Sequence, residues 1–105
     1  MKIEIIIHHT GDTSAGSQFE KVNEWHKHKG FPLSKLGYYG GYQYLCEKNG
    51  RRRQARTDLE EGAHTKGYNQ GTIGYAFAGN FDLEYPTREQ MIDFDNFLRQ
   101  KGLEY

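Results

Sequence analysis

The segment Gly62-Ala63-His64-Thr65-Lys66-Gly67-Tyr68-Asn69, followed almost at once by Thr72-Ile73-Gly74-Tyr75-Ala76-Phe77-Ala78-Gly79, sets the tightest limit on how this chain folds. Its first half is loop chemistry, with glycines bracketing an imidazole, an ammonium, a phenol and an amide. Its second half alternates small residues (Gly74, Ala76, Ala78) with larger ones, the period of a strand. A polar, glycine-hinged loop feeding a buried strand is a common way to present side chains to a ligand. A surface turn that happens to be polar is the other reading of the loop.

The rest of the chain supplies neighbours for that strand. Lys2-Ile3-Glu4-Ile5-Ile6-Ile7-His8-His9 is a β-branched run, read as a strand buried on both faces. Side chains alternate along a strand, so His8 and His9 point to opposite faces. One imidazole then lines a site while the other packs or meets solvent, unless both are simply hydrogen-bonded strand-end histidines. Ser17-x-x-Glu20 has the spacing of a capping box, and Phe19, Val22 and His26 continue at helical spacing, so a helix is expected over 17–29. His26 and His28 are two apart, do not share a helix face as metal ligands would, and read as surface or groove-edge residues.

After Gly40-Gly41, an alternating strand is expected from Tyr42 to Cys46, with Tyr42, Tyr44 and Cys46 on one face. Asn49-Gly50 marks a tight hairpin turn. The return strand carries Arg51, Arg52, Arg53 and Arg56, either as charges on an exposed edge or as an anion site. Thr87-x-x-Gln90 offers a second capping box, and Met91, Phe94 and Leu98 form an apolar stripe on a helix that Gly102 closes. The order β, α, β-hairpin, loop, β, α predicts an α/β (α+β) architecture: a mixed central sheet flanked by helices.

Composition narrows the function classes. With 105 residues the chain is read as a single domain, and 14 basic against 14 acidic residues give no net field to attract nucleic acid or membrane. Hydrophobic content is only 35%, so the core must lean on the aromatic 14%. Cys46 is the one cysteine, which removes intrachain disulfides and cysteine-based zinc motifs. No secretory leader is read ahead of the first strand, and a cytoplasmic location is expected.

Taken together, Ile5-Ile6-Ile7-His8-His9-Thr10, Trp25-His26-Lys27, Gly41-Tyr42-Gln43-Tyr44-Leu45 with Asn49-Gly50, Gly62 to Asn69, and Ile73-Gly74 through Gly79-Asn80-Phe81 resemble one family. It is that of the zinc-dependent N-acetylmuramoyl-L-alanine amidases, the type-2 amidase and peptidoglycan-recognition group that includes amidase-type phage lysozymes. The resemblance spans roughly residues 3–100. It implies a peptidoglycan-recognition-like fold, with His8 at the position of the family's first zinc ligand and Tyr42 as the catalytic tyrosine beside the attacking water or scissile carbonyl. It also implies that His64, Lys66, Tyr68 and Asn69 line the substrate groove with His8 and Tyr42. The family's other two zinc ligands, a histidine and then a cysteine or aspartate, follow the last helix and have no counterpart before Tyr105.

The expectation is therefore an amidase-like domain that binds a muropeptide or another polar, anionic small ligand without zinc catalysis, possible ligands including a nucleotide signal. A phage-encoded, ligand-sequestering protein acting in the host cell fits that description. The alternatives are an active amidase completed by a second subunit or by non-family ligands, and a protein-interaction module. A sheet and groove left partly uncovered predict a homo-oligomer.

Overall fold

The alternation at 72–79 forms the centre of the sheet. The computed structural model describes residues 4–103. Its elements run β1 (Glu4–His9), α1 (Phe19–His28), β2 (Tyr44–Cys46), β3 (Arg52–Gln54), β4 (Thr72–Phe77) and α2 (Arg88–Gln100). The strand order is β1-β4-β2-β3; β4 lies parallel to both β1 and β2, and β2 pairs antiparallel with β3. Every residue of β4 is buried, as a central parallel strand requires. The mixed sheet with a helix on each face is the expected α/β (α+β) architecture.

The period of two in β4 divides the interior. Ile73, Tyr75 and Phe77 join Tyr44 and Cys46 against Phe94, Phe97 and Leu98 of α2. Ala76 and Ala78 turn the other way and pack with Leu45, Ala55 and, from α1, Phe19 and Val22. The hairpin between β2 and β3 turns at Gly50, whose φ of 88° is the left-handed conformation that Asn-Gly turns adopt.

The second capping box forms as its spacing predicts. Thr87 Oγ1 accepts from the Gln90 backbone N–H at 3.1 Å, and Gln90 Oε1 accepts from that of Thr87 at 2.9 Å. Gln90 also donates to the Cys46 and Ala78 carbonyls, tying the helix start to the ends of two strands. The apolar stripe differs in one member: Met91 is 45% exposed, and Phe97, fully buried, takes the central place.

Four other expectations are corrected. β1 is an edge strand, not one buried on both faces, because nothing among the described residues pairs beyond it, and Ile7 is 54% exposed. The Ser17 capping box does not form: α1 starts at Phe19, and its first N–H groups are met by Glu47, which accepts from the backbone N–H of Gln18 at 2.7 Å and of Phe19 at 3.1 Å. A carboxylate at a helix N-terminus also faces the positive end of the helix dipole, so a full charge from a distant loop displaces the local hydroxyl. Tyr42 precedes β2 and packs on the α1 side, whereas Tyr44 and Cys46 pack on the α2 side. Arg56 is no part of an exposed basic strand; it is 2% exposed and donates to the carbonyls of Gly40, Pro32 and Tyr39. The Arg51 to Arg56 cluster is further broken up by the pairing of Arg52 with Asp93 and of Arg53 with Glu20.

Candidate functional site

The open side of the sheet, beside α1, gathers most of the candidate residues. His8 and His9 diverge as strand geometry dictates. His9 Nδ1 accepts from the Phe81 backbone N–H at 2.9 Å and stacks near its ring, on the α2 side. His8 turns to the α1 side, with its ring centroid 5.3 Å from that of Tyr42 and 5.0 Å from that of His64. His8 Nε2 and His64 Nδ1 are 3.0 Å apart, so one donates to the other. Thr65 Oγ1 lies 3.1 Å from each of these nitrogens, closing a triangle of polar atoms.

The loop that delivers His64 is folded by its own residues. Asn69 Oδ1 accepts from the backbone N–H groups of His64 and Thr65, both at 2.8 Å, and so closes the loop on itself. Gly74 then makes room for the imidazole: a Cβ at that position would lie 2.7 Å from the His64 ring. The small side of β4 is thus the seat of the histidine as well as the packing surface for α1.

Beside this triangle opens a cavity of about 340 Å³ lined by Tyr42, His64, Lys66 and Asn69, together with Trp25, His26, Lys29, Phe31, Ala63 and Thr65. His8 and Tyr68 are not among the lining residues: His8 reaches the cavity only through its contacts with Tyr42, His64 and Thr65, and Tyr68 is 67% exposed, its carbonyl accepting from the Thr72 hydroxyl. Of the α1 wall, the sequence reading had only His26, as a surface or groove-edge residue, and it is 3% exposed; Trp25 and Lys29 were not anticipated. Their signal was the i, i+4 spacing, which places the two on one helix face.

Burial sets the charge state of the groove. Desolvation, followed by coulombic coupling to His8 and to the Arg56 guanidinium, lowers His64 to about 4. Desolvation, then Lys29 and Arg56, does the same for His26, whose Nδ1 accepts from the Gly41 backbone N–H at 2.7 Å. Burial and then His9 also lower His8, and burial raises Tyr42. At neutral pH these groups are uncharged imidazoles and an un-ionised phenol: directional donors and acceptors against an aromatic wall.

The zinc that the resemblance implies meets a donor set that does not suit it. A catalytic zinc takes three protein ligands and keeps an open position. Among the described residues no three His, Cys, Asp or Glu side chains converge, and the groups nearest His8 Nε2 are one imidazole and one neutral hydroxyl. Cys46 is fully buried on the opposite face of the sheet, where desolvation pushes its thiol up to about 12.

Comparison with known proteins bears on the family and the fold. The family described as N-acetylmuramoyl-L-alanine amidase (Amidase_2) matches residues 4–103. Peptidoglycan-recognition protein SD of Drosophila simulans is 28% identical over 96 residues, which cover 90% of this chain and 52% of the relative. Among solved structures, the N-acetylmuramoyl-L-alanine amidase LysC from Clostridium intestinale superposes with a TM-score of 0.74 at 27% identity, over 96% of this chain and 64% of that one. Peptidoglycan recognition protein-LE, solved in complex with tracheal cytotoxin, a monomeric diaminopimelic acid-type peptidoglycan, gives a TM-score of 0.77 at 25% identity, over 94% and 58%. The chain spans about half the length of the curated relatives it matches.

Proposed function

Because the chain belongs to the N-acetylmuramoyl-L-alanine amidase family, we propose that its groove binds a muropeptide and holds it by polar groups already in place, with no step that depends on a metal. The observation that carries this reading is the junction of the His8–His64–Thr65 triangle and Tyr42 with a cavity walled by Trp25 and Phe31. Sugar rings offer apolar faces to aromatic side chains, and their hydroxyls and amides pair with neutral imidazole and phenol. The likeness to a recognition protein solved with a monomeric peptidoglycan supports the same ligand class. Titration calorimetry with muramyl tripeptide tests the proposal. Binding that weakens at least tenfold in Tyr42→Ala and His64→Ala supports it; no heat from any muropeptide ends it.

A zinc amidase is the second reading, favoured by the likeness to LysC. It needs ligands beyond His8, from another subunit or from non-family residues. Stoichiometric zinc, together with amide cleavage that chelator and His8→Ala both abolish, would replace the first reading. A homo-oligomer forms part of the proposal as well, supported by the edge of β1, unpaired among the described residues, with Ile7 exposed on it. Light scattering of a monomer at micromolar concentration would contradict that.

A further inference from the structure

Gln43 lines no part of the cavity, yet it lies where the pieces of the groove are joined. Its side chain is 0% exposed. The amide Oε1 accepts from the Gly74 backbone N–H at 2.7 Å, and Nε2 donates to the Glu60 carbonyl at 2.9 Å. One partner is a donor and the other an acceptor, so an amide satisfies both at once, which neither a carboxylate nor a hydrocarbon of the same size can do.

The bond to Gly74 replaces a rung of the sheet. Ala78 N–H reaches the Cys46 carbonyl, and stepping back in twos along these two parallel strands would pair Gly74 N–H with the Tyr42 carbonyl. β2 begins only at Tyr44, and its register with β4 begins at Tyr75. The Gln43 amide oxygen therefore meets the N–H that the backbone of β2 leaves unpaired. Tyr42, freed from the ladder, turns its ring into the cavity.

The bond to Glu60 reaches the loop that carries His64. Gln43 holds the Glu60 carbonyl, and the Gly41 carbonyl holds the Ala63 N–H at 2.9 Å, so the loop is pinned on both sides of Gly62. The fit is close: a Cβ on Gly62 would lie 2.4 Å from the His64 ring and 2.8 Å from the Gly41 carbonyl oxygen. The same imidazole rests on Gly74, whose N–H the Gln43 amide also holds. One buried side chain thus ties the loop to the point on β4 where His64 sits.

We propose that Gln43 is a positioning residue of the groove: by bridging Gly74 and Glu60 it sets His64 against His8 and lets Tyr42 leave the sheet. It touches no ligand itself. The effect on binding rests on the muropeptide reading; the effect on the histidine pair does not.

Gln90 supplies the control, being 1% exposed and donating to the Cys46 and Ala78 carbonyls at the start of α2, away from the groove. Gln43→Met and Gln90→Met each leave buried polar partners unmet, so both lower the Tm. Only Gln43→Met abolishes the nitrogen–nitrogen NMR coupling across the His8–His64 hydrogen bond and weakens muramyl tripeptide binding, by about tenfold. If Gln43→Met does not fold, Gln43→Asn is read in its place, since its amide is one methylene too short to span both partners. Coupling retained in the folded Gln43 variant, or lost in Gln90→Met as well, overturns the inference. If the native protein binds no muropeptide, that reading fails on its own and the coupling alone decides the role of Gln43.

Discussion

The two faces of the sheet use aromatic residues in opposite ways. On the α2 face, Tyr44, Tyr75, Phe77, Phe94 and Phe97 pack edge-to-face or tilted on one another at centroid distances of 4.9 to 5.4 Å. Tyr75 and Phe97 are fully buried there. On the α1 face, Tyr42 and Phe31 contact histidines, Trp25 is half-exposed, and a cavity remains between them. The α2 face is filled by rings; the α1 face also packs Phe19, Val22 and Leu45 but leaves a cavity, where the proposed ligand would sit. The parity of residues along β4 decides which of the two clusters each side chain joins, and only the small-residue side borders the cavity.

The largest expected effect lies on the closed face. Phe97→Ala should destabilise the protein by about 3–5 kcal/mol in denaturant titration, since it opens a cavity among rings that cannot all close around it. Trp25→Ala on the open face should stay within about 1 kcal/mol while weakening ligand binding. Equal losses in the two variants would erase the distinction between the faces.

Gly74→Ala should come next. The added methyl meets the His64 ring, so the imidazole must leave its seat and the contact with His8 is lost. Histidine NMR should show both resonances moving, with binding impaired even in variants that stay folded. Retained His8–His64 coupling would mean that the loop yields instead.

The pH dependence is smaller and has a definite direction. His26 is held neutral in the fold at about 4, whereas in the unfolded chain it titrates near 6.5. Its contribution to stability is complete above pH 6.5 and is lost as pH falls through about 4, because the unfolded state binds the proton first. His64 adds to the same window. Glu20, lowered to about 2 first by its Ser17 hydrogen bond and then by Arg53, loses its contribution only below about pH 4.5. His26→Asn should flatten the stability profile between pH 6.5 and 4 and leave the acid limb unchanged; an unaltered profile would place the histidine's role elsewhere.

How much of this was legible in the sequence depended on distance along the chain. The Thr87–Gln90 cap and the Asn49-Gly50 turn are local, and both form as spacing alone requires. The divergence of His8 and His9 follows from strand alternation and also holds. The cap on α1 was not legible, since Glu47 reaches Gln18 across 29 residues, and a nearby Ser17-x-x-Glu20 offered a local pattern that the distant carboxylate overrode. Arg56 looked like one more charge in a basic run; only the arrangement of Gly40, Pro32 and Tyr39 carbonyls shows why it is buried. Tyr42 was assigned to the wrong face because extending β2 by two residues carries the alternation past the point where the strand begins. The groove loop was the most readable part of the site, the α1 wall the least, because Trp25 and Lys29 line the cavity only once the turn at Gly30 brings Phe31 beside them.

The central claim is that the α1 face binds a muropeptide with the side chains it already presents. The most direct measurement is the dissociation constant of muramyl tripeptide, determined by calorimetry on protein dialysed against chelator and again after zinc is restored. The account predicts the same affinity in both states, lost in Tyr42→Ala. Binding that appears only with zinc, or no binding in either state, would contradict it.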